Sequence, residues 1–366
     1  MKPLPSLGCR REDLDTPCLI IDIEALDRNI ARMQSFCRQH QVGWRPHAKS
    51  YKSSAVVKRV LDAGAIGVTC AKLGEAEVFA ALGVQDMLIT GPIAGPIKLA
   101  RLTALRQIAD PIVVVDHLDH VQLLSQAGFQ HHAPLRVLIE IDLGMRRCGV
   151  PPGSAAVALA HEIARHPTLA FAGMMGWEGH LLTIDDPAEK RQRIAEAIDG
   201  LETTRQALIA SGIPCPIVSA GGTGSFPITG TLGVATELEA GGAIFMDLFY
   251  RNKCHIEGMD FALTVLTTVI SRPEATRAVI DAGRKTLSPD LHLPAVKDRA
   301  DLNVQWLSAE HGILSVQESA SLSIGDKLEL IPGYGDWTTV LHDHYFVFRG
   351  NRLEAIWPLE ARSRND

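Results

Sequence analysis

The chain has 366 residues, of which 46% are hydrophobic and 21% charged, and its formal net charge is -6. This composition excludes disorder, collagen and coiled coil as the dominant state and predicts a globular protein with a sizeable core. The net charge and the 5% aromatic content give neither the basic footprint nor the stacking surface of a nucleic-acid-binding protein. The length predicts two domains, or one large barrel with an appendage.

The seven cysteines are odd in number and irregularly spaced, and no two of them form a Cys-x-x-Cys pair. They indicate neither a disulfide framework nor a zinc finger, so a cytoplasmic protein is expected. The N-terminal segment has no apolar signal region, and no run approaches the about 18 apolar residues that span a membrane. The expected partner is a small molecule rather than a nucleic acid or a membrane.

Short apolar segments alternate with helical stretches through the first 250 residues. The predicted strands are 18–22, 42–47, 66–69, 87–90, 112–115, 135–141, 171–176, 216–220 and 243–247. The predicted helices are 23–40, 53–63, 74–82, 97–108, 155–165 and 187–211. So many strand–helix units favour an α/β fold with a closed (β/α)8 barrel of the TIM type. Nine strands are one too many for such a barrel, so one of them is expected to pair elsewhere.

The pattern changes after about residue 250. Short strands separated by turns are predicted at 263–270, 278–281, 305–308, 327–330 and 345–348. Their spacing predicts a mostly antiparallel β domain. We therefore assign residues 18–250 to the barrel and residues 251–366, together with about 1–17, to the β domain.

Lys49 directly follows the second predicted strand. A lysine just past a barrel strand points into the mouth where barrel active sites lie, and partial desolvation there favours the free amine. Lys49 is therefore a candidate for Schiff-base chemistry. An ordinary exposed loop lysine would give the same pattern.

A glycine-rich turn, residues 221–225, follows the strand predicted at 216–220. Glycines allow backbone N–H groups to converge on an anion, and the hydroxyls of Thr223 and Ser225 add donors. The turn lacks the lysine of a P-loop and the following acid of a dinucleotide fingerprint. It predicts a phosphate site, although a simple turn can have the same composition.

Two further polar segments follow the sixth and seventh predicted strands and carry Arg147 and His180. His180 is a candidate general base, ring-stacking residue or metal ligand, and a hydrogen-bonded structural role is the alternative. A lysine, a phosphate cradle, an arginine and a histidine at one barrel rim suit pyridoxal 5′-phosphate (PLP).

The sequence resembles the D-threonine aldolase and D-serine dehydratase family, whose members are fold-type III PLP enzymes related to alanine racemase. The resemblance runs in order from about residue 13 to about residue 360. It is carried by Asp15-Thr16-Pro17, Arg45-Pro46-His47-Ala48-Lys49, Cys70-Ala71-Lys72-Leu73-Gly74-Glu75-Ala76-Glu77, Arg147-Cys148-Gly149, Trp177-Glu178-Gly179-His180, Gly221-Gly222-Thr223-Gly224 and Phe245-Met246-Asp247.

This resemblance implies that Lys49 carries PLP and that Gly222, Thr223 and Gly224 bind its phosphate. It also implies a homodimer with sites near the subunit interface.

The resemblance assigns further cofactor contacts to four polar residues. The resemblance includes His47 among the cofactor-binding residues and places His180 against the pyridine ring. Arg147 is placed near the 3′-oxygen of PLP or the substrate carboxylate. Rough alignment with alanine racemase places Glu239 at the pyridine nitrogen, and an exposed or salt-bridged Glu239 is the alternative.

The sequence departs from the family near its C-terminus. Tyr334 stands where the family has a metal-binding histidine, and Asp336 stands where it has the second ligand. Tyrosine is a poor ligand at neutral pH because its phenol must ionise. His342 and His344 follow and offer imidazoles. A site for a divalent ion (Mn, Mg or Zn) formed by Asp336, His342 and His344 is therefore one alternative. By analogy with alanine racemase, Tyr334 is alternatively an acid or base.

The resemblance favours retro-aldol cleavage of a D-3-hydroxy amino acid to glycine and an aldehyde, with Lys49, His180 and Tyr334 as the catalytic candidates. Dehydration or deamination of D-serine or D-3-hydroxyaspartate is the first alternative, and racemisation is the second. The third is a non-catalytic PLP-binding protein, against which the β domain argues.

Overall fold

A computed structural model describes residues 4–126 and 133–366, so residues 1–3 of the segment assigned to the β domain lie outside the described residues. The strands are β1 (Cys18–Asp22), β2 (Gly43–Trp44), β3 (Val68–Cys70), β4 (Asp86–Ile89), β5 (Asp110–Val115), β6 (Leu135–Ile141), β7 (Leu169–Gly176), β8 (Ile217–Ala220), β9 (Glu237–Leu238), β10 (Leu263–Glu274), β11 (Arg277–Ile280), β12 (Ala295–Val296), β13 (Leu302–Leu307), β14 (Gly312–Val316), β15 (Lys327–Ile331), β16 (His344–Arg349) and β17 (Arg352–Pro358).

The α-helices between these strands are mostly amphipathic or buried on one side. They are α1 (Ile23–Gln39), α2 (Ser54–Asp62), α3 (Leu73–Ala81), α4 (Pro96–Leu105), α5 (Leu118–Ser125), α6 (Ser154–Ala164), α7 (Pro187–Ala210), α8 (Phe226–Thr229) and α9 (Gly335–Thr339). No helix in the described part of the chain is long and apolar enough to cross a membrane.

Eight of the described strands form a parallel sheet in the order β2-β9-β8-β7-β6-β5-β4-β3. Its central strands are almost continuously apolar and buried, as expected when both faces of a parallel sheet are covered. A parallel bridge joins His47 to Thr69, and the N–H of Thr69 donates to the carbonyl of Pro46 at 3.0 Å. These contacts join the two edges of the sheet, and the predicted (β/α)8 TIM-like barrel is confirmed.

The second sheet is mostly antiparallel and has nine strands among the described residues. Its main path is β13-β14-β11-β10-β1-β16-β17, and β15 pairs with both β10 and β12. The predicted C-terminal β region is therefore confirmed. The strand at 18–22 is the one that pairs outside the barrel, because β1 lies antiparallel to β10 and parallel to β16.

The prediction of a strand at 243–247 is wrong. This stretch begins with the helical turn Gly242–Ile244, and the barrel position is taken by β9, which has only two residues. A short buried apolar run does not distinguish a strand from a helical turn. Backbone packing is also very close here, since a Cβ on Gly241 would lie 2.2 Å from the carbonyl oxygen of His47.

The described residues divide into two compact units. One contains residues up to Arg32, 50–55 and 242–362, and the other contains 33–49, 56–241 and 363–366. The second unit holds the barrel strands and the first holds the antiparallel sheet. The boundaries 18–250 and 251–366 stay a prediction.

Candidate active site

Lys49 lies in the helical turn Ala48–Ser50, which follows β2 at the carboxyl end of the barrel strands. Its Nζ is 5.5 Å from the ring centroid of Trp177, which directly follows β7. The ammonium group is attracted to the negative face of the indole. The barrel thus holds this amine at the end of the strands where barrel active sites are built.

The glycine-rich turn lies between β8 and α8. Gly221 has a φ of +75°, which glycine adopts without a steric penalty. A Cβ on Gly222 would lie 2.9 Å from Nε1 of Trp177. Within the described residues, the peptide N–H groups of Thr223 and Gly224 donate to no protein acceptor. The turn therefore offers two backbone donors, and the glycine at 222 allows the indole of Trp177 to pack closely against it.

Glu239 connects the lysine segment to the glycine-rich turn. Its N–H donates to the carbonyl of Gly221 at 3.0 Å, and its own carbonyl accepts from the N–H of His47 at 3.1 Å. The hydroxyl of Ser219 donates to its carboxylate at 3.0 Å. Burial raises the pKa of Glu239 to about 7, although the charge of Lys49 acts in the opposite direction. The barrel therefore places a buried carboxyl with a raised pKa where it interacts electrostatically with Lys49.

Arg147 lies in the loop after β6, with its Cζ 5.2 Å from the ring centroid of Trp177. One guanidinium nitrogen is 3.7 Å from Oε1 of Glu140, a β6 residue. Glu140 is only 5% exposed, and burial raises its pKa to about 7 while Arg147 opposes the shift. A cationic side chain is thus held between an indole and a buried carboxyl.

His180 lies in the helical turn Gly179–Leu181 after β7, and its side chain is exposed. A Cβ on Gly144 would lie 3.0 Å from Nε2 of His180, so the imidazole packs on the loop after β6. That loop is held by Asp142, whose Oδ1 accepts from the N–H groups of Gly144 and Arg146, both at 2.9 Å.

Trp177 and Glu140 are the two site residues that the sequence reasoning missed. Trp177 contacts Lys49, Arg147 and the glycine-rich turn. Its position immediately after a predicted strand, in the same segment as His180, was the available signal. Glu140 was detectable as an acid inside a strand that is otherwise almost entirely apolar.

A second cluster surrounds Tyr334 in the unit with the antiparallel sheet. The hydroxyl of Tyr334 donates to Oδ2 of Asp336 at 3.1 Å, and the ring of Tyr334 packs edge-on against the ring of Tyr250 with 5.8 Å between the centroids. Burial and the charge of Asp336 raise the pKa of Tyr334. Asp247 accepts from the N–H groups of Gly335 and Tyr250 at 2.8 and 2.9 Å, which fixes the start of α9.

Residues 21–248 match the model of the alanine racemase N-terminal domain family. The chain belongs to this family. Residues 262–348 also match a putative serine dehydratase domain. Alanine racemase-type proteins use PLP, so the family implies this cofactor here.

Two of the similar proteins are aldolases by name. The chain is 36% identical to 3-hydroxy-D-aspartate aldolase of Paracoccus denitrificans (strain Pd 1222), covering 99% of this chain and 96% of the relative. It is also 36% identical to D-threonine aldolase of an Arthrobacter species, covering 95% and 93%.

The solved structure of D-threonine aldolase from Filomicrobium marinum superposes with a TM-score of 0.95 at 36% identity, covering 99% and 100% of the two chains. D-threo-3-hydroxyaspartate dehydratase from Delftia sp. HT23 superposes with a TM-score of 0.84 at 29% identity, covering 96% and 98%. The predicted membership in this family of D-amino acid lyases is confirmed.

The barrel residues fit PLP. Lys49 supplies the amine, the turn at 222–224 supplies N–H donors for a phosphate, and Glu239 supplies a carboxyl close to both. The absence of a side chain at Gly222 lets the indole of Trp177 pack against this turn, since an added Cβ would lie 2.9 Å from its nitrogen.

The predicted metal ligands do not fit a divalent ion. Nε2 of His342 donates to the carbonyl of Thr286 at 3.0 Å, and burial lowers the pKa of this histidine. His342 precedes β16, which begins at His344. Asp336 is already an acceptor for Tyr334. Residues 4–126 and 133–366 contain no group of three or more His, Cys, Asp or Glu side chains that could hold a metal.

Proposed function

We propose that this protein is a PLP-dependent lyase that cleaves a D-3-hydroxy amino acid into glycine and an aldehyde. The supporting observation is the arrangement of Lys49, the open N–H groups of the glycine-rich turn and Glu239 at one barrel rim. The 36% identity to two named aldolases over nearly the whole chain supports the reaction class.

Each rim residue has a distinct role in this proposal. Lys49 would hold PLP, which would supply an electron sink for the pair released when the Cα–Cβ bond of the substrate breaks. The N–H groups of Thr223 and Gly224 bind the phosphate, and Glu239 holds a proton at the pyridine nitrogen. Arg147 binds an anionic oxygen of the substrate or cofactor. His180 lies at the exposed rim, where it takes the proton of the substrate β-hydroxyl.

Dehydration is the second candidate reaction. It is favoured by the 32% identity to D-threo-3-hydroxyaspartate dehydratase of Delftia sp. (strain HT23), which covers 94% of this chain. The two reactions differ in their products, because dehydration yields a 2-oxo acid and ammonia.

A product assay tests the proposal. The holoenzyme is given D-threonine, D-serine and D-3-hydroxyaspartate in parallel, with and without EDTA. Glycine and an aldehyde are the expected products, and EDTA is expected to have no effect because the predicted ligands do not form a metal site. A 2-oxo acid with ammonia, or a mixture of enantiomers, would instead assign dehydration or racemisation. If the protein binds PLP but converts none of these substrates, the result would support the alternative of a non-catalytic PLP-binding protein.

The proposal includes a cytoplasmic homodimer. The seven cysteines all lie in the described part of the chain and none forms a disulfide bond there, which suits a reducing compartment. The family resemblance supports the dimer. Light scattering coupled to gel filtration measures the second point, and a monomeric mass would contradict it.

A further inference from the structure

Glu178 is a fully buried acid that has no role in the reaction proposed above. Its relative exposure is 0%, and its Oε1 accepts from the hydroxyl of Thr229, the last residue of α8, at 2.6 Å. Within the described residues, Oε2 is buried without a hydrogen-bond partner. Burying a carboxyl oxygen without a hydrogen bond costs free energy, so packing alone does not account for an acid at this position.

Helix α8, which follows the glycine-rich turn, has only four residues. A helix this short has little stability of its own, because its first turn loses more conformational entropy than its few hydrogen bonds offset. Other parts of the barrel unit must therefore hold it. Phe226 at its start packs edge-on against Phe36, with 5.1 Å between the ring centroids, and Thr229 at its end donates to Glu178. Glu178 thus fixes the end of α8 that is farther from the turn along the chain.

The glycine-rich turn contacts the side chains that hold it. A Cβ on Gly221 would lie 3.1 Å from the methyl carbon of Thr229, so the last residue of α8 lies beside the first residue of the turn. The next residue, Gly222, packs against the indole of Trp177. Trp177 and Glu178 are consecutive and directly follow β7. These two residues therefore support the turn at two places, one through the indole and the other through Thr229.

The two backbone donors of the turn lie in the chain between these supported positions. The N–H groups of Thr223 and Gly224 donate to no protein acceptor within the described residues, and they follow Gly222 and precede α8. Donors bind an anion more tightly when they are already in place before it arrives, because less ordering is then needed on binding. The contacts that hold α8 are therefore expected to contribute to anion affinity.

We infer that Glu178 is a positioning residue, which holds α8 through Thr229 and so keeps the N–H groups of the turn in place for a phosphate monoester. The inference rests on the proposed function, because the proposed cofactor PLP carries such a phosphate. It assigns part of the affinity for PLP to a hydrogen bond behind the turn, between Glu178 and Thr229, rather than to a group that contacts the cofactor.

The affinities for PLP and for pyridoxal, which lacks the phosphate, test this role. The full-length chain, freed of cofactor with hydroxylamine, is titrated with each compound and followed by visible absorbance. Glu178→Ala removes the acceptor for Thr229, so Kd for PLP is expected to rise about tenfold, the effect of one buried hydrogen bond. Kd for pyridoxal is expected to change less than about twofold. An equal loss of affinity for both compounds would overturn the inference.

Further variants separate positioning from a general structural effect. Thr229→Val breaks the same hydrogen bond and keeps the size of the side chain, so the double variant is expected to resemble Glu178→Ala alone. Glu178→Gln keeps an oxygen that accepts from Thr229 and is expected to recover most of the affinity for PLP. Thr264→Val is the matched control, since it removes a buried hydroxyl that donates to Glu329 at 2.9 Å in the antiparallel sheet. Both Kd values are expected to stay unchanged in this control.

Additive effects of Glu178→Ala and Thr229→Val on Kd for PLP would overturn the inference. If Glu178→Ala does not fold, the comparison of PLP with pyridoxal in Thr229→Val decides alone. A selective loss of PLP affinity in that variant would uphold the positioning role, and unchanged PLP affinity would overturn it.

The outcome is separable from that of the proposed function. If the unchanged holoenzyme converts no D-3-hydroxy amino acid, the lyase proposal fails, and the two affinities still decide the role of Glu178. If the unchanged chain binds PLP no more tightly than pyridoxal, the turn is not a phosphate site. The inference is then overturned, whatever the turnover.

Discussion

The barrel rim and the Tyr334 segment both contain buried acids, but the two regions use them differently. In the barrel, Glu140 lies beside a guanidinium, Glu239 is influenced by the charge of Lys49, and one oxygen of Glu140 has no hydrogen-bond partner among the described residues. In the other unit, Asp247 accepts from two backbone N–H groups. Burial raises the pKa in all three cases. A shifted pKa alone therefore does not distinguish a reactive acid from one that fixes a loop. The hydrogen-bond partners of each carboxylate oxygen make that distinction.

The largest expected effect is at Lys49. Lys49→Ala removes the amine that we propose carries PLP, and turnover is expected to fall by about a thousandfold or more. The visible absorbance of bound PLP is expected to disappear with it. Lys58→Ala is the control, because Lys58 pairs only with Asp62 on the surface of α2 in the described contacts. Retained cofactor absorbance and turnover in Lys49→Ala would show that the barrel rim is not the site.

The Tyr334 segment gives the next effect. Tyr334→Phe removes the hydroxyl that donates to Asp336 and keeps the aromatic ring. If Tyr334 takes part in proton transfer, turnover is expected to fall about a hundredfold while PLP absorbance persists. If turnover instead equals that of the unchanged protein, the cluster around Tyr334 has only a structural role. The two regions would then differ in function as well as in the partners of their acids.

A smaller effect concerns the pH dependence of substrate binding. Glu140 must be ionised to pair with Arg147, and burial raises its pKa to about 7. KM is therefore expected to rise as the pH falls below about 7 and to level off above it. In Glu140→Gln this inflection is expected to vanish. A KM profile that keeps the same inflection in the variant would assign the ionisation to another group.

The smallest effect is on stability. A carboxyl whose pKa is raised in the folded state favours folding at low pH, and that contribution is lost as the pH rises through about 7. Glu140→Gln is therefore expected to increase the free energy of unfolding by about 1 kcal/mol or more at pH 8 and to change it little near pH 4.5. Urea unfolding at the two pH values measures this difference. Equal stability at pH 8 would mean that Arg147 compensates fully for the burial of the charge.

The sequence predicted the barrel well because its central strands are long and apolar. β6 and the helix α7 begin at the predicted residues, 135 and 187. The two-residue strand β9 was beyond prediction, since its pairing depends on backbone contacts with β2 and β8 rather than on a pattern. Helix α5 was missed because its eight residues are flanked by no clear signal.

The candidate site was predictable where the chemistry follows a strand directly. Lys49, the glycine-rich turn and Arg147 follow β2, β8 and β6, and the barrel collects such positions at one rim. Trp177 lies in one of the motifs that carry the resemblance, but only His180 of that motif was assigned a role, because an indole has no acid–base or ligand chemistry to single it out. The prediction of metal ligands failed for a different reason. His342 donates to the carbonyl of Thr286, and this long-range contact cannot be inferred from the spacing of residues in the sequence.

The closure of the barrel gives Lys49 a mechanical role beside its chemical one. β2 contributes only two residues, and the seam to β3 includes one isolated bridge at His47 and the hydrogen bond to Pro46, only two to three residues before Lys49. A ligand attached to Lys49 and held by the turn after β8 would connect β2 to β8 across the two-residue strand β9, on the β2 side of this seam. Because such a ligand binds the folded barrel and not the unfolded chain, it stabilises the folded barrel, and the short pairings of β9 with β2 and β8 are expected to be weaker in its absence.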